Sequence, residues 1–124
     1  MNYLIVFLGA GIGGALRHSV NVTAPRLLGI VLPFGTMIVN LAGSFAMGLI
    51  VGYLAFRGEA SQAPRLFMTT GILGGFTTFS AFSLDVAVLI ERGDIANAVV
   101  YGGLSVAGSI LFLFGGLWLV RATY

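Results

Sequence analysis

The chain has 124 residues, of which 58% are hydrophobic and 8% are charged, and its formal net charge is +2. Soluble domains carry about 25% charged residues, so this composition excludes an ordinary soluble fold and indicates an all-α membrane protein. The cationic side chains are all arginine and lie scattered, which excludes the clustered basic face of a nucleic-acid-binding protein. The absence of cysteine excludes thiol catalysis and thiolate metal sites.

Four long apolar runs predict four transmembrane helices in a single domain, residues 1–124. They are Tyr3–Leu16, Leu27–Phe56, Leu66–Leu84 and Ile95–Val120. Because a spanning helix needs about 20 mostly apolar residues, the first should end near Arg17 and the third should continue through Asp85 to Ile90. The expected connections are Thr23–Val31, Arg57–Arg65 and Glu91–Asp94, with Pro25, Pro33 and Pro64 at helix ends.

Pairs of glycines four residues apart occur in the first three predicted helices. Such pairs allow helices to approach closely in a membrane, and here they indicate a compact bundle without pointing to a substrate. The pairs are Gly9 and Gly13, Gly48 and Gly52, and Gly71 and Gly75.

Two of the predicted helices carry a polar stripe with a four-residue repeat, which places its members on one helix face. The stripe of the second helix begins at Asn40 and Ser44. That of the fourth consists of Asn97, Tyr101, Ser105 and Ser109 and extends for about 18 Å. Neutral N–H and O–H donors suit a dehydrated anion, but interhelical hydrogen bonding alone would also explain them.

The third helix contains the segment Thr70–Ser83, with the sequence TGILGGFTTFSAFS. We predict that a helix over Leu66–Leu73 unwinds at Gly74-Gly75, which would free backbone carbonyls for a hard cation such as Na⁺. A second half-helix would then start at one of three good N-cap residues, and its exposed N–H groups would favour an anion. Those residues are Thr77, Thr78 and Ser80.

Three-residue steps connect Phe76, Phe79, Phe82 and Asp85, so the last three should share a helix face. Aromatic rings have positive edges, and ring edges along a track could favour a small anion without a formal cation. Packing is the alternative explanation of an aromatic stripe at this spacing.

The arginines leave the orientation in the membrane undecided. Arg57, Arg65 and Arg121 are expected on one side, and Arg17, Arg26 and Arg92 on the other. Because arginine in short loops normally marks the cytoplasmic side, this balance indicates either a missed boundary or dual topology, with oppositely inserted copies paired antiparallel.

The chain resembles the CrcB/Fluc family of fluoride channels over nearly its whole length. The segment Thr70–Ser83 is the most specific match, because GGxTTFSxFS in a four-helix protein of this size is difficult to explain by packing needs alone. Three further matches lie in the other helices: Gly11–Arg17, Gly35–Gly43 and Tyr101–Ser109.

The resemblance implies a passive, fluoride-selective channel, not an enzyme, that lowers cytoplasmic fluoride across the bacterial inner membrane. Its implied partners are fluoride, sodium, membrane lipid and a second copy, in a dual-topology antiparallel homodimer with four helices per chain and a break in the third. A structural Na⁺ at the centre of this dimer would be held by the backbone carbonyls of Gly74 and Thr77.

The resemblance also implies a fluoride pathway on the positions that match the family motifs. Arg17 matches the vestibule arginine, whose charge could raise the local anion concentration. Two positions differ from the family pattern: Ala81 replaces a common Thr, and Asp85 replaces a common Glu. The implied pathway residues are Asn40, Thr78, Phe79, Ser80, Phe82, Tyr101, Ser105 and Ser109.

Two other functions remain compatible with the sequence. A small dual-topology drug/proton antiporter needs an embedded carboxylate, for which Asp85 is the only candidate. A structural subunit without transport would use the same polar and aromatic residues for assembly. An enzyme is disfavoured, because the spans hold no nucleophile–base pair and His18 has no second metal ligand nearby.

Overall fold

The computed structural model describes residues 2–57 and 62–123, and for Phe56 and Arg57 only the backbone. All regular structure within these ranges is helical. Four spans are long and apolar enough to cross a membrane, as predicted: Asn2–Leu28, Phe34–Ala55, Gln62–Glu91 and Ile95–Thr123. The elements are α1 (Asn2–Leu28), α2 (Phe34–Arg57), α3 (Gln62–Leu66), a π-helical segment (Phe67–Leu73), α4 (Gly74–Phe76), α5 (Phe79–Glu91) and α6 (Ile95–Thr123).

The first connection is shorter than predicted, because α1 continues through Pro25 to Leu28. Gly29 ends the helix with a φ of 85°, and its N–H donates to the Pro25 carbonyl oxygen at 3.1 Å. A left-handed glycine is a common helix terminator, whereas a proline in the last turn removes only one hydrogen bond. The prediction that the helix ends before Thr23 was therefore wrong.

The other two connections agree with their predicted bounds to different degrees. Residues 58–61 lie outside the described ranges, and Gln62–Leu66 is already helical, so the expected connection to Arg65 was too long. The last connection, predicted as Glu91–Asp94, comprises residues 92–94, because Glu91 is still part of α5. Its Gly93 has a φ of 79°, and the Asp94 carbonyl accepts the first amide bond of α6, from Ala98 at 3.0 Å.

α2 packs most extensively against α6. A Cβ added to Gly48 would overlap the Leu113 carbonyl, and one at Gly52 would lie 3.3 Å from side-chain atoms of Leu117 and Val120. On the other helix, Gly116 lies against the Phe45 carbonyl in the same way. The glycines of α2 thus have the packing role predicted for them.

α1 packs against the π-helical segment and α4, and the two backbones are in direct contact. A Cβ on Gly9 would lie 2.7 Å from the Phe67 carbonyl oxygen and 2.9 Å from Gly71 Cα. One on Gly75 would overlap the Ala10 carbonyl. The glycine pairs of the first and third spans therefore fit into each other.

The third span changes neighbour at residues 77–78. Its first part lies on α1, whereas α5 packs against α6. The buried core beside α5 consists of Met37, Phe82, Leu89, Ala98 and Tyr101. Many large apolar side chains elsewhere are exposed, which in a membrane-spanning bundle places them against lipid or another protein surface.

Candidate functional site

Two consecutive residues of the third span have extended backbone. Thr77 has φ −85° and ψ 156°, and Thr78 has φ −154° and ψ 127°. Gly74 and Gly75 are helical, so the prediction that the chain unwinds at this pair was wrong. The physical reason lies in packing, because the missing side chain of Gly75 accommodates the backbone of Ala10 in α1.

The side-chain amide of Asn40 replaces the helical hydrogen bonds of Thr78. Asn40 Oδ1 accepts from the Thr78 N–H at 2.9 Å, and Asn40 Nδ2 donates to the Thr78 carbonyl at 3.0 Å. Both polar groups of this peptide backbone are therefore satisfied without a helix, as buried backbone requires. Asn40 lies on α2, so the extended conformation depends on contact between two spans.

Thr78 is the N-cap of α5. Its Oγ1 accepts from the Ala81 N–H at 3.2 Å and lies 3.2 Å from Ser80 Oγ. Of the three predicted cap residues, Thr78 thus has this role. Thr77 instead continues the preceding turn, because its N–H and its Oγ1 both donate to the Leu73 carbonyl at 2.9 Å.

The Gly74 and Thr77 carbonyls lie where α-helical pairing is interrupted. The amide four residues after Gly74 belongs to Thr78 and donates to Asn40. The amide four residues after Thr77 belongs to Ala81 and donates to the Thr78 hydroxyl. The two carbonyl oxygens therefore do not receive the amide hydrogen bonds of a regular α-helix, and carbonyl oxygens are ligands that hard cations prefer.

Two phenylalanines and a tyrosine form a row beside this segment. The ring centroids of Phe79 and Phe82 are 5.5 Å apart, and those of Phe82 and Tyr101 are 5.4 Å apart. Phe79 is 74% exposed, whereas Phe82 is 9% and Tyr101 0% exposed. The Tyr101 hydroxyl donates to Asp85 Oδ2 at 3.0 Å.

A cavity of about 290 Å³ brings six of the predicted pathway residues together. Only uncharged side chains line it, so the polar groups that an ion would meet there are hydroxyls and one amide. Ser44 was expected only as a member of the polar stripe, and no sequence signal marked Val106 or Ile110. The lining residues are Asn40, Ser44, Thr77, Thr78, Phe79, Phe82, Ser105, Val106, Ser109 and Ile110.

Ser105 provides an unpaired hydroxyl in this wall. The residue is 3% exposed, and among residues 2–57 and 62–123 its Oγ has no hydrogen-bond partner. An unpaired buried hydroxyl is costly, with typical penalties of about 1–3 kcal/mol.

Four residues of the predicted site are not among those lining the cavity: Tyr101, Ser80, Arg17 and Gly74. Tyr101 lies behind Phe82, and Ser80 is adjacent to the Thr78 hydroxyl. Arg17 is half-buried, and its Nε has no hydrogen-bond partner in the described part of the chain. Asn97 donates to Asp94 Oδ2 at 2.8 Å at the start of α6 and was predicted only as a member of the polar stripe.

A second cavity, of about 400 Å³, lies beyond Asp85. It contains charged groups, because Asp85 and Arg92 line it together with the polar Asn21 and Thr36. The sequence did not indicate this cavity, whose walls come from α1, α2, the loop between them and α5. Asp85 lines this second cavity, and it accepts a hydrogen bond from Tyr101, whose ring packs against Phe82 in the wall of the first cavity.

Comparison with known proteins identifies relatives along nearly the entire chain. Residues 4–117 match the model of the family described as CrcB-like protein, Camphor Resistance (CrcB). The chain is 57% identical over 121 residues to the fluoride-specific ion channel FluC 2 of Nitrobacter hamburgensis, with 98% of each chain covered. It is 55% identical over 122 residues to the fluoride-specific ion channel FluC of Rhodopseudomonas palustris strain BisB5, also with 98% of each covered. The chain is therefore a multi-pass membrane protein and belongs to the CrcB-like protein family.

Proposed function

We propose that this protein is a fluoride-selective channel that lets fluoride leave the cytoplasm passively. The observation that carries the proposal is the uncharged cavity, which joins an amide, several hydroxyls and two phenylalanine rings. The relatives named fluoride-specific ion channels support the choice of fluoride. The chain is not proposed to be an enzyme.

Neutral donors replace the hydration shell of fluoride in this proposal. Asn40 Nδ2 uses one N–H on the Thr78 carbonyl and keeps its second for the ion. The hydroxyls of Ser105 and Ser109 continue the pathway along α6, and the edges of Phe79 and Phe82 present positive potential. Larger anions are disfavoured because the cavity lining contains no charged side chain to stabilise them.

The functional unit is an antiparallel homodimer with both orientations in one membrane. The equal division of arginines supports dual topology. Phe79 lines the cavity and is 74% exposed, so the cavity is open on this side, which supports a second copy as its missing wall. The half-buried Arg17 of α1 would attract anions toward the entrance.

Sodium is the proposed structural ion of this dimer. The Gly74 and Thr77 carbonyls fit such an ion, because the amides that would pair with them in a helix donate to side chains. When bound, Na⁺ would add a fixed positive charge at the extended part of the third span. Asn40 and Thr78 then keep the two carbonyls in position.

The drug/proton antiporter is the weaker alternative. It requires a carboxylate that exchanges protons with a cationic substrate. Asp85 Oδ2 accepts a hydrogen bond from Tyr101, and Asp85 is not among the residues lining the uncharged cavity. The relatives are named channels, which also favours passive fluoride transport.

Fluoride efflux from liposomes tests the proposal directly. Purified protein should release trapped fluoride, measured with a fluoride electrode, far faster than it releases chloride under the same gradient. Removing Na⁺ during purification should lower the efflux, and adding it back should restore it. Efflux no faster than from empty vesicles would refute the channel. Efflux that is the same with and without Na⁺ would refute only the sodium site.

A further inference from the structure

Gly43 lies on the face of α2 next to the extended residues and makes a close contact with one of their side chains. It is buried, and a Cβ added there would overlap the Cγ2 methyl of Thr77. The next atoms are more distant, with Phe76 Cδ2 at 3.3 Å and Thr77 Cβ at 3.7 Å. The space above Gly43 is therefore filled mainly by one methyl group, with the edge of the Phe76 ring in close contact beside it.

The Thr77 methyl cannot easily move away. Thr77 Oγ1 donates to the Leu73 carbonyl at 2.9 Å, which fixes the rotation about the Cα–Cβ bond. Because threonine is branched at Cβ, fixing the hydroxyl also fixes the methyl. A side chain at position 43 would have to displace Thr77 itself or break this hydrogen bond.

The same helix also holds the next residue. Asn40 precedes Gly43 by three positions, which places both on one face of α2. Its amide binds the N–H and the carbonyl of Thr78 at 2.9 and 3.0 Å. α2 thus receives the side chain of Thr77 at Gly43 and pairs with the backbone of Thr78 at Asn40.

We propose that Gly43 is a positioning residue of the ion pathway. By accepting the Thr77 methyl, it fixes the direction of the Thr77 carbonyl and of the Thr78 hydroxyl, which belong to the proposed ion sites. The inference rests on the proposed function for its ionic consequence. Its structural part depends only on the fit between Gly43 and Thr77.

The proposal separates Gly43 from an ordinary packing glycine. Gly48 contacts the backbone carbonyl of Leu113, so no change of a side chain could make room for a larger residue there. At Gly43 the obstacle is one side-chain methyl, which Thr77→Ser removes while keeping the hydroxyl. Rescue by that conservative change is therefore specific to positioning through Thr77.

The test is a double-variant cycle with Gly43→Ala and Thr77→Ser, and fluoride efflux normalised to folded protein recovered from size exclusion. Gly43→Ala alone should lower efflux about tenfold, the order expected when an added methyl displaces packed atoms. The double variant should return to within about threefold of Thr77→Ser alone. Gly103→Ala, at an exposed glycine with no atom within 4 Å of the added Cβ, is the matched control.

A thermal-unfolding cycle on the same purified proteins tests the fit between Gly43 and Thr77 separately from its effect on fluoride transport. Gly43→Ala should lower the melting temperature in the wild-type background and much less in the Thr77→Ser background. Equal losses in both backgrounds, or a double variant no more active than Gly43→Ala, would overturn the positioning role.

If Gly43→Ala cannot be purified, recovery of an active double variant supports the role, and failure of the double variant overturns it. If the wild type shows no fluoride efflux, the channel proposal fails while the thermal cycle still decides the Gly43–Thr77 fit.

Discussion

At the level of single residues, Asn40 links the structure of the site to its proposed chemistry. Its amide takes both backbone hydrogen bonds of Thr78, which a neighbouring helix or strand would otherwise have to satisfy. The sequence marked Asn40 as a polar residue in an apolar span and therefore as a donor. Its pairing with Thr78 depends on a contact between residues 38 positions apart, which a local pattern does not reveal.

Asp85 is the residue at which the channel and the antiporter make opposite predictions. Asp85→Asn keeps an oxygen that can accept from the Tyr101 hydroxyl. Replacing a charged acceptor by a neutral one costs about 1 kcal/mol, so fluoride efflux should fall no more than about fivefold. The measurement is efflux from liposomes, with proton-driven uptake of an organic cation assayed in parallel.

The antiporter would give a different pair of results in that experiment. The wild type would move an organic cation in response to a pH gradient, and Asp85→Asn would abolish this movement. Tyr101→Phe is the matched variant, because it removes the donor of the same hydrogen bond and leaves the carboxylate in place. Cation transport by the wild type that Asp85→Asn eliminates would contradict the channel.

At the level of secondary structure, the cap of α5 can be tested apart from transport. Thr78→Val keeps the branched shape that suits extended backbone but removes the hydroxyl that accepts from Ala81. The expected loss is about 1 kcal/mol of unfolding free energy, which is typical of a lost N-cap. Thr78→Ser, which keeps the acceptor, is the control.

Thermal or denaturant unfolding in detergent would measure these two variants. A loss for Thr78→Val with near wild-type stability for Thr78→Ser would support the cap. Equal losses in both would mean that the Thr78 methyl matters more than its hydroxyl.

The helices were more predictable from the sequence than the place where helical structure stops. Apolar run length is a local property and predicted all four spans. The glycines at 74 and 75 were assigned to unwinding because glycine is flexible, yet Gly75 accommodates the backbone of Ala10. The π-helical pairing of Phe67–Leu73 has no local composition signal, because the apolar pattern of this run is the same for either helix type.

The neighbouring rings of Phe79 and Phe82 agree with the helix face predicted from their spacing, whereas Tyr101 of α6 was predicted only as part of a polar stripe. The ring of Phe82 lies between those of Phe79 and Tyr101. Whether a ring is buried depends on the helix opposite it. Phe82 is buried against α6, whereas Phe79 lines the cavity on its open side and is largely exposed. Spacing alone could not separate these two environments.

At the scale of the whole molecule, the arginine distribution leads to a topology prediction. Three arginines on each side give neither orientation an electrostatic advantage, so copies should insert both ways. Fusions at the C-terminus to a reporter active only in the cytoplasm and to one active only outside should give near-equal signals. Signals from one side alone would rule out the self-paired antiparallel dimer.

Variants that each lack one arginine test whether the charge balance determines the orientation. Arg92→Ala removes one positive charge from the turn between α5 and α6, and should bias insertion so that this turn faces outward. Arg121→Ala removes a charge near the other end of α6 and should bias insertion in the opposite sense. Reporter signals that change in the same direction for both variants would contradict charge balance as the cause.

The change of neighbour at residues 77–78 has a consequence for assembly during synthesis. The π-helical segment packs on α1, which is synthesised before it, whereas α5 packs on α6, which is synthesised after it. One wall of the uncharged cavity, with Ser105 and Ser109, is therefore missing until α6 enters the bilayer. A nascent chain that stops before Ile95 lacks this wall, so the cavity cannot form before α6 is synthesised.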